Sequence, residues 1–214
     1  VFFRNLKLDD CSLKDMIKTR LKWTCELFYE FDKYINFLKV DLPEFSSEEI
    51  RNVAIMAKKH LEIEGPINNL THLLEKKGFV ISRINQTGFE SCSQIINGRP
   101  FILLDKQSRL SMNFNLAYEL GNILLHSHIS DEEINQKEIM NQIETESKLF
   151  ASFFLRQNDE MFERPVLLRK ACLMFIENGV KSKSELMNIF KWSSSDLEEI
   201  CNLPKGMLNK KTQI

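Results

Sequence analysis

The chain has 214 residues, of which 43% are hydrophobic, and a formal net charge of -1. That is enough apolar material for one sizeable core, or a core with a small satellite. The charge balance excludes a basic nucleic-acid clamp and an acidic tail, and no apolar run approaches the ~20 residues of a membrane span. Five cysteines, Cys11, Cys25, Cys92, Cys172 and Cys201, form an odd set without C-x-x-C spacing. They read as free thiols in a reducing compartment. The opening Val1-Phe2-Phe3-Arg4-Asn5 has too few apolar residues for a signal peptide, so the expected location is cytoplasmic.

In chain order, Leu13, Met16, Ile17, Leu21, Leu27, Phe28, Phe31, Ile35 and Leu38 recur at spacings of mostly three and four. This predicts one long amphipathic helix with Ser12 as N-cap, ended by Leu42-Pro43. Ser46-x-x-Glu49 reads as a capping box before a second helix with Ile50, Val53, Ala57 and Leu61 inward. Gly65-Pro66 breaks the chain, a short helix around Leu70 to Leu74 ends near Gly78, and Phe79 to Ile84 reads as a strand. Ser93 to Ile96 and Pro100 to Leu104 read as two more strands, joined by the Asn97-Gly98 dipeptide favoured in two-residue hairpin turns.

Helices over about 111–127 and 138–155 follow, separated by the polar stretch Ser130 to Glu133. On the first, Tyr118, Asn122 and His126 fall at i, i+4 and i+8 with Glu119 beside them, while Leu116, Leu120, Ile123 and Leu124 supply the apolar side. Such a stripe reads either as a solvated face or as the wall of a cleft. Beyond it, Val166 to Glu177 is an apolar helix stopped by Asn178-Gly179. Ser182-x-x-Glu185 and Ser195-x-x-Glu198 then cap two short helices with Lys191 to Ser194 between them, an arrangement similar to a helix-turn-helix unit. From Lys181 to Ile214 there are six Lys against four Asp or Glu, far fewer cations than a phosphate-tracking surface carries.

The segment Tyr118-Glu119-Leu120-Gly121-Asn122 has the spacing of an H-E-x-x-H zinc-peptidase helix, in which two histidines one turn apart bind zinc and the Glu is general base. Tyr and Asn stand at the histidine positions. Together with Asn97 to Leu104, Leu124-Leu125-His126 and Glu146-Ser147-Lys148-Leu149-Phe150-Ala151, it resembles the ImmA/IrrE family of metallopeptidases over roughly residues 47 to 160. The resemblance implies that Glu119 is the vestigial general base and that Glu146, rather than Glu144, is the family's third zinc ligand. It also implies that Tyr118, Asn122, His126 and Glu146 line the cleft. A phenol titrating near about 10 and a neutral amide are poor replacements for two imidazoles, so no zinc or other cofactor is expected.

The fold expected is therefore α+β, a mostly helical zincin-like domain with a small three-stranded sheet. Residues 1–46 would form an N-terminal helical arm, 47–164 the peptidase-like domain and 165–214 a C-terminal helical module. The resemblance implies a regulatory pseudopeptidase that binds a protein partner, such as a transcriptional repressor of a mobile element or stress response. Two alternatives stand beside it: an active zinc metallopeptidase with non-standard ligands, and a DNA-binding regulator acting through the C-terminal module or through a domain preceding Val1. No membrane association is expected.

Overall fold

The computed structural model describes residues 2–4, 11–43, 49–65, 67, 69–85, 88–106, 112–134, 136–155, 167–201, 203 and 205–209. The sheet is built from β1 (Phe2–Arg4), β2 (Val80–Ile84), β3 (Ser91–Ile96) and β4 (Arg99–Asp105), in the order β1-β3-β4-β2. The β3–β4 and β1–β3 pairs are antiparallel and β2–β4 is parallel. The mixed α+β class expected from the sequence is found, and the three expected strands gain a short edge strand in β1. Asn97 (φ 49) and Gly98 (φ 75) make the turn between β3 and β4. Two successive positive φ values match the right-handed twist of a hairpin.

Helices cover both faces of this sheet: α1 (Cys11–Asp32), α2 (Ile50–His60), α3 (Leu70–Lys76), α4 (Met112–His126), α5 (Asp131–Ile134), α6 (Lys137–Phe154), α7 (Leu167–Glu177), α8 (Lys183–Phe190) and α9 (Ser194–Ile200). Alternation along the strands sorts the side chains into two cores. Val80, Ile84, Cys92, Phe101 and Leu103 pack with α1, α7, α8 and α9. Ile81, Ile102 and Leu104 pack with α2, α3, α4 and α6. The expected N-terminal arm and C-terminal module thus share one core on one face of the sheet, and the boundaries expected near residues 46 and 164 lie outside the described residues.

Three local expectations are corrected. α1 ends at Asp32, not at Leu42-Pro43: Phe31 O accepts the N–H groups of both Tyr34 and Ile35, and residues 36–43 form neither helix nor strand. Arg99 pins this segment by donating to Leu38 O at 2.9 Å and to Gly78 O at 2.6 Å, and Leu38 is 61% exposed. Ser12 lies inside α1, while Ser46 is outside the described residues and α2 begins after Glu49 without a side-chain cap. The capping box of α9 is Ser193 with Asp196, not Ser195 with Glu198. Asp196 also meets Arg20 of α1 at 2.8 Å, and Glu198 instead accepts the backbone N–H groups of Gly206 and Leu208. The box at Ser182 and Glu185 is present as expected. α7 closes at Asn178-Gly179, with Val180 N donating to Phe175 O and Gly179 N to Ile176 O, the hydrogen-bond pair of a Schellman motif.

α4 and α6 run close together because Gly121 faces Phe150. A Cβ on Gly121 would come within 2.9 Å of Phe150 Cδ1, and Phe150 is fully buried and stacked on Phe154 at 5.6 Å. The ring has little room to retreat, so Gly121→Ala should lower stability by about 1–3 kcal/mol. Urea denaturation measures this, and an unchanged midpoint would show that the helix pair tolerates separation.

Candidate functional site

α4 is buried almost all round. Asn115, Leu116, Ala117, Tyr118, Glu119, Leu120, Gly121, Asn122, Ile123 and His126 are all buried, since the sheet lies on one side of the helix and α3 and α6 pack on others. A helix in that position can carry polar residues only where neighbours satisfy them. The neighbours do so here. Ser91 and Ser93, two apart on β3 and therefore on one face of the sheet, donate their hydroxyls to Glu119 Oε1 and Oε2 at 2.6 and 2.5 Å. Asn122 Nδ2 donates to Glu119 Oε2 at 3.0 Å, and Ser147 Oγ of α6 donates to Asn122 Oδ1 at 2.6 Å.

The result is a continuous hydrogen-bond chain from β3 through α4 to α6. Glu119, Ser91, Ser93 and Ser147 are 0% exposed, and Asn122 and Tyr118 are 1% exposed. The three donors to the carboxylate offset much of the cost of removing it from water. Its charge is felt nearby: burial first, and the Glu119 carboxylate second, push the Cys92 thiol well above its ordinary range.

The solvent-facing reading of the Tyr118, Asn122 and His126 stripe is therefore corrected, and Tyr118, Glu119 and Asn122 do not line an open cleft. Glu146 does turn toward α4, whereas Glu144 pairs with Lys148 at 2.7 Å on the helix surface. Its partner is His126, whose Nε2 lies 3.5 Å from Glu146 Oε2 without a hydrogen bond, and Gln142 Nε2 donates to Glu146 Oε1 at 2.8 Å. Burial, opposed by Glu146 and aided by His128, lowers the His126 pKa below its ordinary value.

The pairing of Gly121 with Phe150, Asn122 with Ser147 and His126 with Glu146 shows α4 and α6 running antiparallel. In that register Glu146 stands level with His126, eight residues or roughly 12 Å along the axis from Tyr118. The residue reaching Asn122 is Ser147.

These residues do not fit the zinc ion that the resemblance implies. The phenol of Tyr118 is buried, both ends of the Asn122 amide are engaged, and the acid on α6 sits at the wrong level. Among the described residues no three His, Cys, Asp or Glu side chains are grouped so as to hold a metal. Three members of the network, Ser91, Ser93 and Ser147, have no site role in the sequence reading. Counting back from the Asn97-Gly98 turn in hairpin register places Ser91 and Ser93 on one face of β3, a signal missed because the strand was expected to begin at Ser93.

Glu119→Gln replaces one of the two carboxylate oxygens, each of which accepts a serine hydroxyl, with an amide NH₂. It should cost about 1–3 kcal/mol of stability through lost and mismatched buried hydrogen bonds. A change near zero on chemical denaturation would show that the carboxylate is solvated after all. For His126, the unfolded chain titrates near about 6.5 and the folded protein lower. Between those values the unfolded state binds more protons, so stability falls as the pH drops through that window. His126→Gln should flatten this part of a pH–stability profile, and an unaltered slope would count against the assignment.

The chain matches no protein-family model, and no curated protein matches it.

Proposed function

We propose that the chain is an ImmA/IrrE-type scaffold acting as a regulatory pseudopeptidase, one that binds a protein partner such as a transcriptional repressor without cutting it. The observation that carries this reading is the saturation of Glu119. A general base must reach a water or a metal-bound hydroxide, and this carboxylate is fully buried with Ser91, Ser93 and Asn122 donating to it. The motif helix α4 and the second motif segment on α6 nevertheless pack face to face, which supports a retained scaffold.

Protein rather than DNA is favoured by the chemistry of the C-terminal layer. Leu186, Trp192, Leu197 and Ile200 of that layer are buried in the core shared with α1 and the sheet. The starts of α8 and α9 carry Glu185 and Asp196 in their capping boxes, so the helix N-termini that would attract phosphate already hold carboxylates.

The test is affinity isolation of the chain from its native cells after cross-linking. The purified partner is then recombined with fresh chain in buffer containing either zinc or a chelator. The proposal expects a stable complex with both proteins full length in both buffers. Partner fragments that disappear with chelator would establish the active metallopeptidase instead, and retardation of a DNA duplex by the chain alone would establish the DNA-binding regulator.

A further inference from the structure

α2 buries Val53, Ala54 and Ala57 in the core that it shares with α6 and turns a different set of residues outward. Arg51, Asn52, Ile55, Met56 and Lys59 are all exposed, Ile55 by 56% and Met56 by 42%. A single apolar side chain on a surface needs no explanation. Here two large ones stand side by side at the middle of an eleven-residue helix, with cations toward both ends. Residues four apart stack into rows along a helix, so Arg51, Ile55 and Lys59 form one row and Asn52 and Met56 the next. Between the rows runs a groove of the kind that a ridge of another helix enters.

Charge decides what that ridge carries. α2 holds Arg51, Lys58 and Lys59 and no Asp or Glu, in a chain whose net charge is -1. Among the described residues no carboxylate pairs with Arg51 or Lys59, and Glu62, just past the helix, is engaged by Lys77 at 3.5 Å. A second copy docked about a two-fold axis at Ile55 would set Arg51 of one copy against Lys59 of the other. Cation would then face cation at both ends of the contact, which disfavours self-pairing and favours an acidic occupant.

We propose that the outer face of α2 is a docking surface for an acidic amphipathic helix of a protein partner, with a carboxylate, an apolar residue and a carboxylate at i, i+4 and i+8. At about 1.5 Å of rise per residue such a row spans about 12 Å, the separation of Arg51 and Lys59 along α2. The apolar residue covers Ile55 and Met56 and supplies the affinity, while the flanking carboxylates set the register and exclude basic partners. The assignment rests on the protein-binding reading above and adds where, and by what chemistry, the partner is held.

The probe is a fluorescein-labelled, lactam-bridged helical peptide with a Glu-Leu-Glu row at i, i+4 and i+8, titrated with the full-length chain and read by fluorescence anisotropy. Expected is saturable binding that weakens as salt rises, falls about tenfold or more with Ile55→Ser and is lost with Lys59→Glu. A peptide with Lys in place of both Glu should bind the Arg51→Glu/Lys59→Glu double variant and not the parent. All the substituted positions are exposed, so the variants should melt with the parent; should one fail to fold, the salt series and the Lys peptide on the unaltered chain decide. Absence of saturable binding, equal binding of the Glu and Lys peptides, or binding indifferent to Ile55→Ser would overturn the proposal. Adsorption to phosphatidylserine vesicles or a concentration-dependent dimer, either one abolished by Ile55→Ser, would give this face to a membrane or to a second copy instead. A partner isolated by cross-linking that binds the Ile55→Ser/Lys59→Glu variant as tightly as the parent would leave the protein-binding reading standing and remove this face from it.

Discussion

The structure depends on burying one carboxylate. Glu119 sits on a helix enclosed by the sheet and by α6, where an unsatisfied charge costs several kcal/mol even after relaxation. Two serine hydroxyls from β3 and an amide from its own helix meet it. The amide is held in turn by Ser147 of α6. Each bond is modest, but together they fix the rotation of α4: turning the helix would strand a buried charge and bring apolar Leu120 or Ile123 against two hydroxyls. The close approach at Gly121 depends on the same orientation, because only that face lets Phe150 pass over the helix backbone.

This arrangement separates scaffold from chemistry. In a zinc peptidase the metal would draw together the ligand helix and the acid on the facing helix. Here a hydrogen-bond chain makes that connection, and the acid that the resemblance assigns to the metal is spent one turn further along, beside His126. Glu119 thus has a structural role, tying α4 to β3. The Tyr118–Asn122 face is closed inside the core.

Much of this fold was legible from periodicity and turn chemistry. The apolar stripes of α1 and α2, the Asn97-Gly98 hairpin and the Ser182 capping box all follow from interactions within a few residues. What was not legible depends on distant partners. Arg99 captures the carbonyl of Leu38 from 61 residues away, overriding a helical pattern that continues to Leu38. The polar stripe on α4 looks solvated because nothing local reveals that its partners, Ser91, Ser93 and Ser147, lie 28, 26 and 25 residues from Glu119, Glu119 and Asn122. At α9 the box expected at Ser195 and Glu198 lies instead at Ser193 and Asp196, with Asp196 also engaged by Arg20 and Glu198 by a later backbone segment.

The most direct measurement is a double-mutant cycle between Glu119→Leu and Ser93→Ala, read as unfolding free energies from urea denaturation. The two positions should couple by about 1 kcal/mol or more, because each substitution removes the same buried hydrogen bond. Losses that simply add would mean that Ser93 and Glu119 do not share a bond, and the closed network at the heart of this molecule would have to be abandoned.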